Sequence, residues 1–549
     1  MSTRRIVVAS VAILSAGALL DGAAAASSGN VGESIYLRGV TGSGAPLEGA
    51  REAGGISTQG AETACVNCHQ RSGLGSAEGS VIIPPVTGDY LFHGHSHGGD
   101  TPVLPYVESM HGNREPYTAT TLARAIRDGV DADGRRLSYL MPRFALDDAD
   151  MAALIEYLKK LSVHHTPGIA DGILNLATIF TPDSDPVKRA GVLDVLEHFV
   201  KEKNSFPIGP SPRMWTSGKT AYAKSMYMAN LRWHLHVWQL TGPDTTWREQ
   251  LERHLSEEPV FAVLSGLGGS NWAPVHEFCE RNEIPCLFPN VEVPVETGDD
   301  FYSLYFSKGV LLEADLIARQ IVALQKKDAP VLVDQIYRSG DSGGPAARAL
   351  AAELEKQGIT VHNHTLAPGG TGHGLADALR ANGKGEVLVL WLRPPDIAAL
   401  GPPPPAETHV YISGLMGGLE DMPLPANWRA HSLLAYPFDV PDRRGVRLDY
   451  ALGWFSFRHI PVVAPQVQAD THLACSLLSE VIKQLADSYV RPYLIEQLQG
   501  MMEHRLMTGY YPHLALTYHQ RFASKGGYIA RFSANEGRHL VADGGWVVP

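Results

Sequence analysis

Apolar residues recur along this chain in two rhythms, and the change falls near residue 170. Before it, glycine-rich polar stretches are interrupted by two amphipathic segments. Leu122, Ala125 and Ile126 share one face of a helix predicted over 118–128, with Gly129 where a left-handed C-terminal cap belongs. Met151, Leu154, Ile155, Leu158 and Leu161 recur at helical spacing over 148–161. Asp147 is the predicted N-cap of that helix. Asp148 and Asp150 stand at the positive end of its dipole, Lys159 and Lys160 at the negative end. After 173, short apolar runs alternate with amphipathic stretches. Strands are predicted at 231–240, 260–265, 285–288, 331–337, 360–366, 386–392 and 409–413, and helices at 273–282, 309–325 and 345–357 among others. Two long helices, 471–487 and 492–506, and two more strands close the chain. Alternation at this pitch predicts βαβ units and a parallel sheet. No internal repeat is evident.

The fold class expected is therefore multidomain, an all-α unit followed by an α/β unit, as 549 residues also suggest. The boundaries are 1–26, 27–165, a linker at 166–172, and 173–549. The first segment reads as an export signal: Arg4 and Arg5 precede an uncharged apolar run at 6–20, and Ala24-Ala25-Ala26 offers a cleavage site before Ser27. The apolar run is short for a membrane span, so the expected mature protein is exported, periplasmic and not integral to the membrane.

Cys65-Val66-Asn67-Cys68-His69 carries the most specific chemistry. Two thiols spaced by two residues can each form a thioether to one vinyl group of a haem, and the adjacent histidine then reaches the iron. A thioredoxin-type motif belongs near a βαβ pattern, which this region lacks. A zinc site needs two further ligands, for which only His93, His95 and His97 offer themselves, and these read better as a polar loop. One covalent haem c is the expected cofactor. For the opposite axial position the methionines are Met110, Met141 and Met151. Met151 lies on a core face and Met110 in a polar loop. Met141 lies in a loop just before the last helix, where Pro142 stiffens the chain.

These features, with Gly32-Glu33-Ser34-Ile35-Tyr36 in a first helix, a Pro84-Pro85 segment, Met141-Pro142 and a closing helix, resemble a class I monohaem cytochrome c over 31–162. The resemblance implies His69 and Met141 as axial ligands, an electron-transfer role, and a proline carbonyl, of Pro84 or Pro85, accepting a hydrogen bond from His69.

Residues 173–549 resemble the type I periplasmic binding proteins, in particular the Leu/Ile/Val receptor family. The likeness rests on the element order, on 261–266 followed by Gly268-Gly269-Ser270 and a helix, on 284–289, and on the segment from Tyr511-Pro512 to Tyr528. It implies two α/β lobes with a ligand in the cleft beyond the carboxyl ends of the strands. Ser270 and its neighbouring N–H groups then hold an anion, and Asn290, Tyr337 and Arg393 face the same cleft. Two departures stand out. The stretch 409–418 lacks the acid that meets an amino group in amino acid receptors, and Thr181-Pro182-Asp183-Ser184-Asp185-Pro186 replaces the usual glycine-rich opening. Cys279 and Cys286, six residues apart by intervening count, are either a disulfide or two buried thiols; Cys475 stands alone.

The net charge of -12 argues against nucleic acid and suits a basic redox partner. No nucleophile–base pair is evident, so the expectation is electron transfer and binding, not catalysis. Three roles fit: an electron carrier with a fused solute receptor for a small molecule or partner, a substrate-binding component of an ABC importer with an accessory haem, or the cytochrome subunit of a periplasmic dehydrogenase.

Overall fold

The computed structural model describes residues 28–51, 55–78, 81–93, 114–162, 166–205, 231–325, 331–369, 372, 374–381, 386–485, 488–517, 520–533 and 539–549. The export segment, His95, His97 and Met110 lie outside the described residues. The chain divides into two compact units. One holds the described residues within 28–73, 85–93 and 114–161; the other holds those within 74–84 and from 162 onward.

In the first unit, α1 (Ser28–Arg38) packs along the closing helix, later in the chain, because Gly32 lets the two backbones touch. A Cβ on Gly32 would stand 2.2 Å from the carbonyl oxygen of Ala153. Tyr36 meets Tyr157 one turn on, with ring centroids 5.3 Å apart. Strands β1 (Glu48–Ala50) and β2 (Ser57–Gln59) form a small antiparallel ladder. The short helix α2 (Val66–His69) follows. The hairpin of β3 (Ser76–Glu78) and β4 (Val81–Ile83) is counted with the second unit. Helix α3 (Gly88–Phe92) is capped by Thr87, whose side chain accepts from Tyr90 N. Helix α4 (Ala119–Asp128) starts at a reciprocal cap: Thr118 Oγ1 accepts from Thr121 N, and Thr121 Oγ1 accepts from Thr118 N. Gly129 ends it at φ 67°. Strand β5 (Arg143–Phe144) joins β1, and α5 (Asp148–Lys160) is capped by Asp147, which accepts from Asp150 N at 2.8 Å.

One tight turn occurs twice in the first unit. Gly39-Val40 to Leu47 and Gly129-Val130 to Leu137 fold alike, each as a tight turn after a helix. Leu47 N donates to Gly39 O at 2.7 Å and Leu137 N to Gly129 O at 2.8 Å. Gly44 and Gly134 take φ of 82° and 85°. Nine residues with only Gly, Val, Gly and Leu in common are too short to register as periodicity. What they share is the pair of left-handed positions that glycine accepts without a steric penalty.

Besides the β3–β4 hairpin, the described residues of the second unit form two large sheets with separate cores. The first sheet is built on β7 (Ile173–Phe180), with β6 (Ile169–Ala170) antiparallel and β8 (Arg232–Gln239) parallel to it. Strands β9 (Ala262–Leu264), β10 (Cys286–Leu287) and β11 (Ser303–Leu304) extend it in parallel. The second sheet runs β13 (Val361–Leu366), β12 (Val333–Arg338), β14 (Val387–Trp391), β15 (His409–Ser413), β16 (Ser432–Tyr436), β17 (Tyr528–Phe532) and β18 (Leu540–Ala542). Its first five strands are parallel and its last two antiparallel. Every residue of β14 is buried, as a parallel strand covered on both faces requires. Helix α6 (Pro186–Ser205) and the later helix Pro465–Gln484 pack together on the first lobe. The chain therefore passes between lobes three times: after β11, after β16 and before β17. These crossings are tied together, since Ala523 N donates to Tyr305 O at 2.9 Å and Asp439 N to Tyr510 O at 2.9 Å.

Cys279 and Cys286 are both buried thiols in this structure. One sits on the helix Ala273–Arg281 and the other on β10, both inside the first-lobe core. They contribute as small apolar side chains there.

Candidate functional site

One turn of helix explains the Cys65–His69 motif. In helical backbone, positions i, i+3 and i+4 share a face, so Cys65, Cys68 and His69 project together. That turn is real: His69 N donates to Cys65 O at 2.9 Å and Gln70 N to Val66 O at 3.0 Å. It is pinned at both ends. Asn67 Nδ2 donates to Ala61 O at 2.7 Å, and the Tyr36 hydroxyl donates to Gln70 O at 2.7 Å. Gln70 takes φ 63°, so the chain leaves the turn sharply after the histidine. Both cysteines are thiols, half-buried, and His69 is half-buried beside them. Two thiols and an imidazole on one supported face fit a haem attached by thioethers.

Met141 lies in the turn before β5. Its N–H donates to Ser138 O at 3.2 Å, and its carbonyl accepts from Arg143 Nη1 at 2.7 Å. Pro142 beside it is buried against Gly49 of β1. The methionine is half-buried on a turn anchored from both sides. Met151 is 2% exposed and belongs to the core of α5. Pro84 ends the β3–β4 hairpin, close over Gly75, and Pro85 is buried. His93 follows α3 on the surface, 3.6 Å from the Asp89 carboxylate.

The second unit carries a cleft of about 610 Å³ between its lobes. The carboxyl ends of β7, β9, β10, β12 and β14 all reach it, which is where open α/β sheets bind ligands. Ser270, Asn290 and Arg393 line it. Tyr337 is not among the lining residues; it packs on the second-lobe core over Gly343 and Gly344. The lining on this side begins beyond the strand, at Gly340, Asp341 and Ser342.

The groups predicted to hold a ligand are already engaged. Ser270 N and Oγ donate to Asp183 Oδ2 at 2.8 and 2.7 Å. Thr181 Oγ1 accepts from Gly269 N at 2.8 Å and donates to Asp183 Oδ1 at 2.7 Å. Desolvation pushes the Asp183 carboxyl up, but these donors outweigh it and hold it below the usual range. Asn290 Nδ2 donates to Ser265 Oγ at 3.0 Å and to Thr471 Oγ1 at 3.2 Å. Ser265 and Phe288, at the ends of β9 and β10, take φ of 53° and 56°. Non-glycine residues in that region cluster at functional sites.

Arg393 joins the lobes. Nη1 and Nη2 donate to the Glu292 carboxylate of the first lobe at 2.8 and 2.6 Å. Nε and Nη2 donate to Asp341 of the second at 2.9 and 2.5 Å. Burial pushes the Glu292 carboxyl up, but Arg393 and Lys188 outweigh it and hold it at about 2. Deeper in the cleft lies Asp470, which accepts at Oδ2 from the Tyr511 hydroxyl at 2.8 Å and from Gln466 Nε2 at 2.6 Å. Desolvation pushes this carboxyl up to about 7 despite both bonds.

Sequence reading did not single out Glu292, Asp341 or Asp470, and it met Asp183 only as part of a departure from pattern. The signal for Asp183 was that departure itself. The others are ordinary charged residues until two lobes face each other. Outside the cleft, His276, Glu280 and Asp300 approach closely, but His276 is bonded to Tyr305 and Asp300, and Glu280 accepts from the N–H groups of Phe301, Tyr302 and Ser303. That trio ties a helix to a loop.

The cytochrome c family model matches residues 58–162. No curated protein matches the chain. Among solved structures, the chain is similar to a fatty acid ABC transporter substrate-binding protein from Thermomonospora curvata, at 14% identity and TM-score 0.46, covering 70% of this chain and 95% of that one. It is similar to a branched-chain amino acid ABC transporter protein from Thermus thermophilus with bound valine, at 11% identity and TM-score 0.49, covering 69% and 97%. A solute-binding protein from R. palustris in complex with benzoate shows 13% identity and TM-score 0.48, covering 69% and 98%. At these values the likeness decides nothing about a ligand, and the cleft is read from its own side chains. Residues 58–162 are a cytochrome c domain with covalently bound haem c, joined in one chain to a two-lobed α/β unit similar to bacterial solute-binding proteins.

Proposed function

We propose that this chain is an exported electron carrier fused to a solute receptor. The observation that carries the first half is the shared face of Cys65, Cys68 and His69 on one pinned turn. In this reading the two thiols would take the thioether bonds, and His69 and Met141 would ligate the iron. Pro84 or Pro85 supplies the carbonyl that orients the His69 ring. Haem iron so ligated supplies one-electron transfer at a raised potential. The chain's own residues hold, orient and shield that group: Tyr36 and Asn67 fix the turn, and Pro142 and Arg143 fix the methionine. Redox exchange is with a basic partner protein, as the acidic chain suits. Among the described residues no helix is long and apolar enough to cross a membrane.

The second half rests on the cleft, whose volume falls in the range of small-molecule sites and whose lobes Arg393 clasps. Purification of the exported protein, with spectra of both oxidation states, tests the carrier reading. Met141→Ala should abolish the weak sulfur-to-iron band of the oxidised form at the red end of the visible spectrum while leaving haem covalently attached. Survival of that band would remove Met141 from the site. Cys65→Ala with Cys68→Ala should yield protein from which haem is extracted by acid acetone. Calorimetric titration with small solutes tests the receptor reading.

A further inference from the structure

We infer that the cleft takes a small organic cation, a primary amine bearing no carboxylate, with its N–H groups on Asp470. The inference rests on the receptor reading and sharpens it.

The place prepared for a ligand carboxylate is filled from within. The N–H and hydroxyl of Ser270 both donate to Asp183, and Gly269 N is bound by Thr181. A second carboxylate there would meet the first one and find the N–H groups of Gly268, Gly269 and Ser270 already bound. The rest of the lining repeats the point. Seven carboxyl side chains line the cleft against two basic ones, Lys188 and Arg393. Arg393 spends its donors on Glu292 and Asp341, and Lys188 stands 3.7 Å from Glu292. An anionic ligand therefore enters a field of its own sign with both cations engaged.

Asp470 points the same way by an independent observation. The residue lines the cleft, is 3% exposed, and its Oδ1 has no hydrogen-bond partner. A buried acceptor left unmade costs free energy that a donor recovers. Around it lie Phe306, Phe438, Tyr510 and Tyr511, with neighbouring centroids 5.4 to 5.5 Å apart. Aromatic faces attract cations, and Tyr510 already carries one: the Arg444 guanidinium carbon stands 4.2 Å from its ring centroid. An acid with a vacant acceptor, set among aromatic rings in an acidic cleft, is the chemistry that recognises an ammonium group with a short apolar tail.

The test is isothermal titration of the full-length haem-loaded protein with n-butylamine and phenethylamine, set beside leucine, octanoate and benzoate. The amines should bind at least about tenfold more tightly than any carboxylate. Asp470→Asn should weaken the amines by about tenfold or more with the haem spectrum and far-ultraviolet circular dichroism unchanged. Asp183→Ala, which empties the anion position, should raise affinity for leucine or octanoate. A carboxylate bound as tightly as the amines in the parent protein would overturn the inference and leave the receptor reading standing. Binding of none of the five would overturn both. Asp470→Asn protein that keeps full amine affinity would remove Asp470 from the site.

Discussion

Glu292 and Asp470 are carboxyls of one cleft that the fold pushes in opposite directions. Glu292 is held down at about 2, below its ordinary value of 4.5. Its pairing therefore contributes stability in full above pH 4.5, and that contribution is lost as pH falls from 4.5 through about 2. Lowering pH from 5 to 3 should weaken the thermal stability of the α/β unit, and Arg393→Met should flatten this dependence. Asp470 is raised to about 7 from 3.8. Ionising it costs stability, so the cost is absent below pH 3.8 and grows as pH rises to about 7. It is faced by Tyr510 and Tyr511 from the crossing segment and by Gln466 from its own helix. Asp470→Asn should raise the melting temperature at pH 8 and not at pH 4, with a gain on the order of 2–4 kcal/mol. A residue that gives up stability in this way is consistent with a binding role.

At the scale of elements, contact between α1 and α5 depends on Gly32, whose missing Cβ leaves room for the Ala153 carbonyl. Backbone cannot swing aside as a side chain can. Gly32→Val should cost about 1–3 kcal/mol by overpacking, read as a lowered melting temperature of the haem-loaded protein. Two caps of the predicted helices were legible because capping chemistry is local: Gly129 and Asp147 act on groups within a few residues, whereas Thr118, read as the first helical residue, is the N-cap of α4. Helix ends without a local cap were legible less well. The helix predicted at 471–487 begins at Pro465, since Gln468 binds the N–H groups of Val463 and Ala464 in a way its sequence neighbourhood does not advertise.

At the scale of the molecule, the lobes are joined by three crossings and by Arg393. Its side chain is one-third exposed, so screening tempers its ion pairs, and about 1–3 kcal/mol is a reasonable value for closing the cleft. Arg393→Met should shift the lobes toward an open arrangement, measured as a larger radius of gyration by small-angle scattering. An unchanged radius in the variant would show that the crossings alone set the angle between lobes.

The sequence by itself determined the haem motif, the break near residue 170 and the alternation of strand and helix. Each depends on residues close together in the chain: thiols three apart, a histidine beside the second, apolar positions at period 3.6 or in short buried runs. Tertiary structure alone decided what the cleft offers. Ser270 looked prepared for an anion, and Asp183, brought 87 positions back along the chain to meet it, is that anion. Arg393 looked like a ligand contact and is clasped by Glu292, 101 residues away. Long-range pairs of charge leave no periodic trace in a sequence, because the sheet topology that sets their distance is fixed by burial of the apolar residues between them.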